Sequence, residues 1–540
     1  MMRGRACIFL GALSLLAFTP HCYSTDGGVA PPVKTMYYPV GLAVSPGGKA
    51  LYVVNSDFDL QYDGGTVQAF DLTRIRKEAA QNATSMGSGC PGVESRDIDV
   101  ECARPRPTEE FWKATVTIGA FATDLQLSSL GFRDPTFGVS RRLFLPVRGN
   151  ASLTWMDVPD DAKNPSADPF AFRCGQGAGS RCDAAHQAGN NVNEPGNTRH
   201  ITLPGEPFGL AQSEDGRSAV MTHQTSEQVS LLSTGIRAES QAAEPPALQF
   251  VADKIPAGGV GVTAIPHDAR AFTTGVAPRP AFLHTSRAVP ELSLLRYYSD
   301  EGISAGSSLT RPFVVRESAI AVSGNVSGVD SRGIVIDPSP RILCKNAVQG
   351  PSLVRTQADV DRDFLRCARL PARLFVASRS PASLLLGEVG EETSDEGRNY
   401  DPDRVTFRGS FPLSSGPSKG YFAPIVDVDG RLSLRLFIVC FDAATIYVYD
   451  PEIGQLENVL RVPPGPFAMA FDPFDFEAAA KHAQVPTDAS GQRVYRYAYL
   501  ASFTNSYVQV IDLDNAQARK GSFEKIVLSL GVPAPPKGLN

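Results

Sequence analysis

The sequence predicts an all-β fold, a seven-bladed β-propeller of four-stranded antiparallel blades with long loop insertions. Three observations support this prediction. One hairpin pattern returns seven times, a short strand rich in small residues precedes most copies, and another short strand follows most of them. Four strands per unit and seven units suit a ring that closes on itself and leaves only short strand edges.

Each copy of the hairpin joins an apolar strand, a polar turn and an alternating strand, which is the period-two pattern of a half-buried antiparallel hairpin. The first copy, LYVVNSDFDLQYDGGTVQAFDL, starts at residue 51, and the last, AYLASFTNSYVQVIDL, starts at residue 498. We align the copies on their second residues, which are Tyr52, Phe144, Val220, Phe282, Phe375, Phe437 and Tyr499. The last three of these are spaced 62 residues apart.

The flanking runs complete each unit. Upstream runs such as PVGLAVSPGG, PFGLAQSEDG and GPFAMAFDPFD are rich in small residues, as expected for strands that crowd round an axis. Downstream runs include ATVTIG, RHITLP and EKIVLSLG. The run GGVGVTAIP at 258–266 contains G-x-G but enters an alternating apolar stretch, so we interpret it as a blade strand and not as a phosphate-binding loop. Among the insertions between copies, only 474–483 has a helical pattern.

The N-terminal residues have the layout of a signal peptide. Two arginines precede an apolar run at 7–18 that is too short to span a bilayer. Cys22 resembles the acylated first residue of bacterial lipoproteins, although Pro20 and His21 depart from the small residues usual before it. Cleavage before Asp26 without acylation is the alternative. We therefore expect a signal peptide at 1–24, a tether at 25–37, one β-propeller domain at 38–531 and a tail at 532–540.

Six cysteines form three local couples inside Gly-, Pro- and Asp-rich insertions. The couples are Cys90 with Cys102, Cys174 with Cys182, and Cys344 with Cys367. A disulfide in a loop without its own core is worth about 2–4 kcal/mol, and such bonds persist in oxidising compartments. The spacing is wider than that of a typical zinc site. Cys440, inside LRLFIVCFD, is interpreted as a small buried hydrophobic residue.

The first unit carries a specific resemblance. The run PVGLAVSPGGKALYVVNSDFDLQYDGGTVQAFDL resembles one unit of the YVTN-type β-propeller repeats of bacterial surface and periplasmic proteins. The matching positions are Pro39, Gly41, Ala43, Pro46, Gly48, Lys49, Tyr52, Val53, Asn55 and Asp71. The resemblance covers 38–531, and it implies the propeller fold and export to the outer membrane or periplasm. It does not imply an activity, because members of the family bind, scaffold or catalyse different things.

Carboxylates in the first hairpin loop are candidate metal ligands. Asp57, Asp59 and Asp63 lie close together in SDFDLQYDGG, and a hard cation such as Ca²⁺ prefers carboxylate oxygens. The alternative is that these residues serve the geometry of the turn, as Asp often does. We name no other cofactor for this chain.

Other polar patterns carry weaker predictions. Asp359, Asp361 and Asp363 alternate as in a calcium loop, but Phe364 replaces the turn glycine and no Glu follows at the twelfth place. A hairpin turn is predicted at Asp427 and Asp429. His223 and His284 lie one place apart in the aligned hairpins, where they could flank a common region or bind backbone groups.

No catalytic motif is present: the sequence lacks a nucleophile elbow, a zinc-protease helix, a phosphate loop and a haem-attachment motif. The net charge of −6 argues against nucleic acid as a partner. We expect a binding or assembly platform for protein or glycan partners at the cell envelope, acting through its disulfide-braced loops and held at the membrane by a lipid anchor.

Two enzymatic alternatives stay open. One is a metal-dependent lactonase or hydrolase with a site in the central channel, and the other is an electron-transfer subunit similar to the propeller chains of amine dehydrogenases. A hydrolase predicts that three or more Asp, Glu, Asn or His residues from different blades converge at one end of the channel. A lining of Val, Ala, Ser and Gly favours the platform.

Overall fold

The computed structural model describes residues 28–86, 105–175, 181–268, 279–299, 311–322, 328–349, 356–393, 400–488, 491, 493–516 and 521–531. The strands of these segments are β1 (Pro39–Val44), β2 (Ala50–Asn55), β3 (Thr66–Asp71), β4 (Pro105–Arg106), β5 (Trp112–Thr117), β6 (Gln126–Leu127), β7 (Phe132–Asp134), β8 (Gly138–Val147), β9 (Ser152–Pro159), β10 (Gln187–Ala188), β11 (Pro207–Gln212), β12 (Ser218–His223), β13 (Gln228–Ser233), β14 (Ala247–Asp253) and β15 (Gly259–Ala264). They continue with β16 (Ala281–Ser286), β17 (Glu291–Tyr298), β18 (Phe313–Ala321), β19 (Ser331–Asp337), β20 (Ala372–Arg379), β21 (Ala382–Thr393), β22 (Tyr400–Pro412), β23 (Pro417–Val426), β24 (Leu432–Cys440), β25 (Thr445–Asp450), β26 (Gln455–Arg461), β27 (Pro466–Phe471), β28 (Tyr497–Ser502), β29 (Tyr507–Asp512) and β30 (Ile526–Leu530).

The strands form seven sheets, which confirms the predicted seven-bladed β-propeller. From the inner to the outer strand, blade 1 is β1-β2-β3-β5, blade 2 is β6-β8-β9-β10 and blade 3 is β11-β12-β13-β14. Blade 4 is β15-β16-β17-β18, blade 5 is β19-β20-β21-β22, blade 6 is β23-β24-β25-β26 and blade 7 is β27-β28-β29-β30. The short β7 pairs with β8, and β4 adds to the outer edge of blade 7.

Among the described residues, helices interrupt three of the blades. They are α1 (Leu72–Met86), α2 (Ser339–Gln349), α3 (Gln357–Ala368) and α4 (Phe476–Ala480), with 3-10 turns at Thr108–Glu110 and Ala184–His186. The helix predicted at 474–483 is therefore present as α4. The other three α-helices lie in insertions that were predicted to be irregular, and their apolar spacing explains them. In α1, for example, Leu72, Ile75, Ala79 and Ala83 fall on one face and are all buried.

The hydrophobic core is divided among the seven contacts between neighbouring blades. One buried cluster joins blades 1 and 2 through Tyr52 and Leu143, for example, and another joins blades 5 and 6 through Phe375 and Leu436. The described residues form seven such clusters, one for each pair of adjacent blades. Each blade thus depends on both neighbours to cover its two apolar faces.

Glycines allow the inner strands to approach one another round the axis. A Cβ on Gly209 of blade 3 would lie 2.5 Å from the Val260 oxygen of blade 4. A Cβ on Gly261 of blade 4 would lie 2.1 Å from the Arg332 oxygen of blade 5. Real Cβ atoms do not come this close to backbone atoms, so these positions exclude any side chain. The small residues of the inner strands have the role that the sequence predicts.

The ring closes between blades 7 and 1 through the insertion that follows β3. There, β4 pairs in parallel with β30, and the Gly531 N–H donates to the Arg106 carbonyl. The α1 helix packs on the same junction, because Asn82 donates to the Val527 carbonyl over 3.1 Å. Arg76 of α1 donates to the Arg493 and Val494 carbonyls, and its guanidinium is 3.5 Å from the buried Asp472 carboxylate. This insertion therefore fastens the ring.

The two ends of the ring differ in character. At one end, which we call the mouth face, the inner strands begin and the second strand of each blade turns into the third. Turns of neighbouring blades meet there: Phe58 of blade 1 packs on Phe503 of blade 7, and Arg379 of blade 5 binds Asp442 of blade 6. The insertions with helices α1 to α4 leave the blades at the other end, the opposite face.

Two details of the strand assignment were wrong. In blade 4, Gly259 pairs with Ser286 as Pro39 pairs with Asn55 in blade 1, so Leu283 and not Phe282 occupies the place of Tyr52. Adjacent large apolar residues made this register ambiguous. The run RHITLP is not a strand either, because the outer strand of blade 2 is β10, which is earlier in the chain.

The segment expected to be a tether is bound to blade 1 in its described part. Gln68 donates from Nε2 to the carbonyls of Val33 and Thr35, both over 3.0 Å. Asp63 donates from its backbone N–H to the Val29 carbonyl, so residue 29 lies at the mouth-face loop of blade 1. The described residues before β1 therefore pack on blade 1 and on its mouth-face loop.

We expect Gly261→Ala to lower the free energy of unfolding by about 1–3 kcal/mol, because the inner strands of blades 4 and 5 would have to separate. The matched control is Gly409→Ala, where an added Cβ meets no atom within 4 Å. Urea unfolding followed by circular dichroism measures both variants. Equal midpoints for the two would contradict radial crowding as the reason for glycine at 261.

Candidate binding site at the channel mouth

The central channel opens at the mouth face into a cavity of about 410 Å³. Inner strands of six blades surround it, and each contributes residues near its start. One lining residue from each of blades 2 to 7 is Gln126, Leu210, Val262, Ile334, Tyr421 and Phe467. The volume falls within the range that holds a small molecule or a side chain of a partner.

An ion pair crosses the channel. Lys419 of blade 6 and Asp124, next to the inner strand of blade 2, lie 3.0 Å apart, although these blades are not neighbours in the ring. The ammonium group also lies 4.9 Å from the centre of the Phe467 ring. Burial lowers the pKa of Lys419, but Asp124 and Tyr421 raise it by more, so the net shift is upward. The lysine therefore stays charged inside the cavity.

Arginines of blades 4 and 5 form a second charged group at the mouth. Arg332 donates from Nη2 to Asp330 over 2.9 Å, and Arg287 lies 3.6 Å from the same carboxylate. Arg332 and Arg379 both line the cavity. Burial lowers the pKa of Arg332, Asp330 opposes that shift, and the positive charges of Arg287 and Arg379 lower the pKa further, so the net shift is downward. Two guanidinium groups thus share the Asp330 carboxylate at this wall.

Aromatic side chains border the cavity and extend from it over blades 7 and 1. We call this set the aromatic belt, and it consists of Tyr37, Tyr38, Phe58, Tyr62, Phe121, Phe441, Phe467 and Phe503. Successive rings are in contact, with centroids 5.7 Å apart for Phe467 and Phe503 and 4.9 Å apart for Phe503 and Tyr38. Phe58 is 50% exposed and the neighbouring Leu60 is 57% exposed. The belt thus ends in an apolar surface open to solvent.

The three carboxylates predicted to bind a metal each have a separate protein partner. Asp57 accepts from the Tyr62 N–H, Asp59 accepts from the Tyr37 hydroxyl, and Asp63 lies 3.0 Å from the Arg181 guanidinium. These contacts hold the loop in shape. In the part of the chain that the structure describes, no group of three or more His, Cys, Asp or Glu side chains is placed to hold a metal ion.

The second acidic pattern was predicted as a possible calcium loop and belongs to a helix. Asp359 lies in the first turn of α3, where it forms a capping box with Thr356, so Asp361 and Asp363 follow on helical backbone. The turn predicted at Asp427 and Asp429 is present, since Asp427 accepts from the N–H groups of Asp429 and Arg431.

Two of the three predicted disulfides lie within the described residues and are confirmed. Cys174–Cys182 is buried between blades 1 and 2, and Cys344–Cys367 joins α2 to α3 on the opposite face. Neither bond lies at the channel mouth. Cys90, Cys102 and the predicted lipidation site Cys22 lie outside the described residues.

The free thiol of Cys440 is buried, as the sequence predicts. Burial raises its pKa to about 12, so at neutral pH the thiol keeps its proton. A protonated thiol is a poor nucleophile.

The two histidines lie two places apart in register and not one. His223 pairs with the first residue of its inner strand, whereas Ser286 has that place in blade 4. The His223 ring bonds to the Gly205 carbonyl and to the Ser230 hydroxyl. Both ring nitrogens of His284 are buried and have no hydrogen-bond partner among the described residues. Burial lowers the pKa of His223 to about 4 and that of His284 to about 3.

The aromatic belt and the arginines of blades 4 and 5 at the mouth were not predicted from the sequence. A partial signal exists, because Phe441 and Phe503 each directly follow the second strand of their blade. Phe208 and Phe467 likewise each follow the proline that begins their inner strand. Equivalent positions in successive blades meet round the axis, so aromatic residues repeated there predict a cluster.

The fold and the cavity define this chain as a seven-bladed β-propeller protein with a ligand-sized opening at one end of its channel. No family model and no curated protein matches the sequence. Solved structures of similar fold include a putative 6-phosphogluconolactonase from Bacteroides uniformis, with 10% identity, a TM-score of 0.40, and coverage of 79% of this chain and 86% of that chain.

Two further similar structures come from other sources. Hydrazine synthase from Kuenenia stuttgartiensis has 11% identity and a TM-score of 0.37, with coverage of 91% of this chain and 99% of that chain. The β-propeller domain of Myceliophteria thermophila Cps50 (Swd1) has 8% identity and a TM-score of 0.41, with coverage of 89% and 98%. None of these similarities indicates an activity for this chain.

The buried histidines predict a loss of stability in mild acid. Their pKa values lie below the ordinary value of about 6.5, so between about pH 6.5 and pH 4 the unfolded chain binds protons that the folded chain does not. Stability therefore falls as the pH falls through this window. We expect His284→Leu to reduce that loss by about 2 kcal/mol.

Urea unfolding of the wild type and His284→Leu at the two ends of the window measures this effect. The control is His200→Asn, since His200 is exposed and has a φ of 51°, which Asn tolerates. If all three proteins lose the same free energy between neutral pH and about pH 4.5, burial of His284 is not a source of the acid sensitivity.

Proposed function

We propose that this chain is an exported cell-envelope propeller that serves as a binding platform, with the mouth face as its binding surface. The observation that carries the proposal is the continuous aromatic belt between the cavity and the exposed Phe58 and Leu60. Apolar side chains left in solvent beside a concave site are typical of interaction surfaces. The insertions that were expected to carry recognition contribute their helices to the opposite face.

A protein partner suits this surface better than a glycan. Protein interfaces concentrate aromatic and arginine side chains, and aliphatic residues such as Leu60 complete their apolar centre. Arg148 and Arg379 are at the edge of the belt, with Arg148 lying 5.6 Å from the Phe121 ring. A neutral glycan would stack on the aromatic rings but has no negative charge to pair with the arginines.

The hydrolase alternative has less support. Among the described residues that line the cavity, the carboxylate is Asp124, and it is paired with Lys419. A hydrolytic site of the kind considered above needs several unpaired carboxylates or imidazoles directed at one point. Binding is therefore the function that the geometry of the mouth favours.

Export is supported by the two disulfides, because such bonds persist in the periplasm or outside the cell. In the part of the chain that the structure describes, the helices are all too short or too polar to cross a membrane. Acylation of Cys22 would tie the protein to a lipid surface. Six residue steps separate Cys22 from Gly28, which limits the distance between these two residues to about 20 Å. Since Gly28 abuts Asp63 on the mouth face, the proposed anchor would turn that face toward the membrane.

Capture of envelope proteins tests the platform. We expect the wild type to enrich a specific protein from detergent-solubilised envelopes, and expect Phe58→Ser with Leu60→Asn to reduce that enrichment by at least about tenfold. Asn is used at 60 because the backbone φ there is 54°.

The matched control carries Val428→Ser and Ile453→Ser on the opposite face, where the two side chains are 69% and 66% exposed. Thermal midpoints show that both variants fold. Enrichment that survives in the Phe58 and Leu60 variant, or that is lost equally in the control, would exclude the mouth face as the binding surface.

The lipid anchor has a direct test. We expect mass spectrometry of the mature protein to show an acylated N-terminal cysteine at residue 22, and expect Cys22→Ser to move the protein from the membrane fraction to the soluble fraction. A mature N-terminus beyond Cys22 with no added mass would refute the anchor.

A further inference from the structure

The lining of the cavity and its ion-pair partners carry a net charge opposite in sign to that of the whole chain. The chain carries a net charge of −6. The charged residues that line the cavity, together with the residues in their ion-pair network, are four cations and three carboxylates: Arg287, Arg332, Arg379 and Lys419 with Asp124, Asp330 and Asp442. An excess of one positive charge thus remains at the cavity.

The cations lie nearer to the cavity than most of their partners. Arg332, Arg379 and Lys419 line it, whereas Asp330 and Asp442 do not. Arg332 and Arg379 thus belong to the lining, and each guanidinium contacts a carboxylate that lies outside the lining. Arginine has five N–H donors, and one carboxylate engages two of them at most, so donors remain for a ligand.

An apolar wall lies beside the two arginines. Phe441 lines the cavity and directly precedes Asp442, which is the ion-pair partner of Arg379. Phe441 and Arg379 therefore lie in the same part of the lining. Phe467 and Tyr421 continue this wall. A ligand that reaches the arginines must therefore present an apolar surface to these rings.

We propose that the channel mouth binds a ligand in which one carboxylate is attached to a flat apolar body. The carboxylate is held by Arg332 and Arg379, and the body packs on Phe441 and Phe467. A monoanion matches the single excess charge, whereas a phosphate monoester carries about −1.5 to −2 and would leave negative charge uncompensated. This inference rests on the proposed binding function and specifies the chemistry of the ligand.

Isothermal titration of the purified protein with 2-naphthoate and its neutral isostere 2-naphthamide tests the proposal. The two probes share the flat bicyclic body and differ in charge. We expect naphthoate to bind at least about tenfold more tightly than the amide, and expect this preference to weaken as salt is added.

The variants Arg332→Gln and Arg379→Gln should each remove most of the preference while leaving the weak binding of the amide unchanged. Arg332→Lys should restore part of it, because it keeps the charge but not the planar fork. The control is Arg408→Gln, since Arg408 pairs with Glu388 on blade 5 and its side chain is 69% exposed. It should bind naphthoate as the wild type does.

Three results would overturn the proposal: equal affinity for the two probes, no saturable binding of naphthoate at about millimolar concentration, or unchanged affinity in both glutamine variants. Thermal midpoints show whether each variant is folded. The titration uses no envelope partner, so its failure leaves the capture experiment standing, and a failed capture leaves the titration standing.

Discussion

Crowding of the inner strands round one axis is the constraint on which the rest of the structure depends. Gly209 and Gly261 touch backbone atoms of the next blade, and nothing larger fits. This close approach brings the outer parts of neighbouring blades into contact, where the seven clusters of buried side chains form. Because every cluster belongs to two blades, no blade has a complete core of its own, and stability comes from closing the ring.

One insertion is part of the scaffold because it helps to close the ring between blades 7 and 1. The segment after β3 contains α1 and β4, and both bind blade 7. Arg76 brings its charge to Asp472, a fully buried carboxylate that also accepts from the N–H groups of Arg496 and Tyr497. Burial raises the pKa of Asp472, and the Arg76 guanidinium opposes that shift. A segment with these contacts is not free to vary as a recognition loop would be.

The sequence predicts the repeated part of this molecule well, because period-two hairpins and small inner strands are local patterns. It predicts register less well where two apolar residues are adjacent, as Phe282 and Leu283 are in blade 4. It missed α1, although Leu72, Ile75, Ala79 and Ala83 have helical spacing, because polar residues dominate that insertion. The residues of the channel mouth could not be predicted for another reason. Asp124 and Lys419, for example, are 295 positions apart in the chain and meet only because the ring closes.

The two ends of the ring differ in the segments that they carry. Turns of neighbouring blades contact one another at the mouth face, whereas the insertions that contain α1 to α4 leave the blades at the opposite face. The ten-residue loop between β2 and β3 of blade 1 lies at the mouth face and carries Phe58 and Leu60. Its aspartates satisfy backbone and side-chain donors within the loop and its surroundings. Because the loop is held in shape before any partner arrives, an apolar surface at its tip costs little ordering entropy on binding.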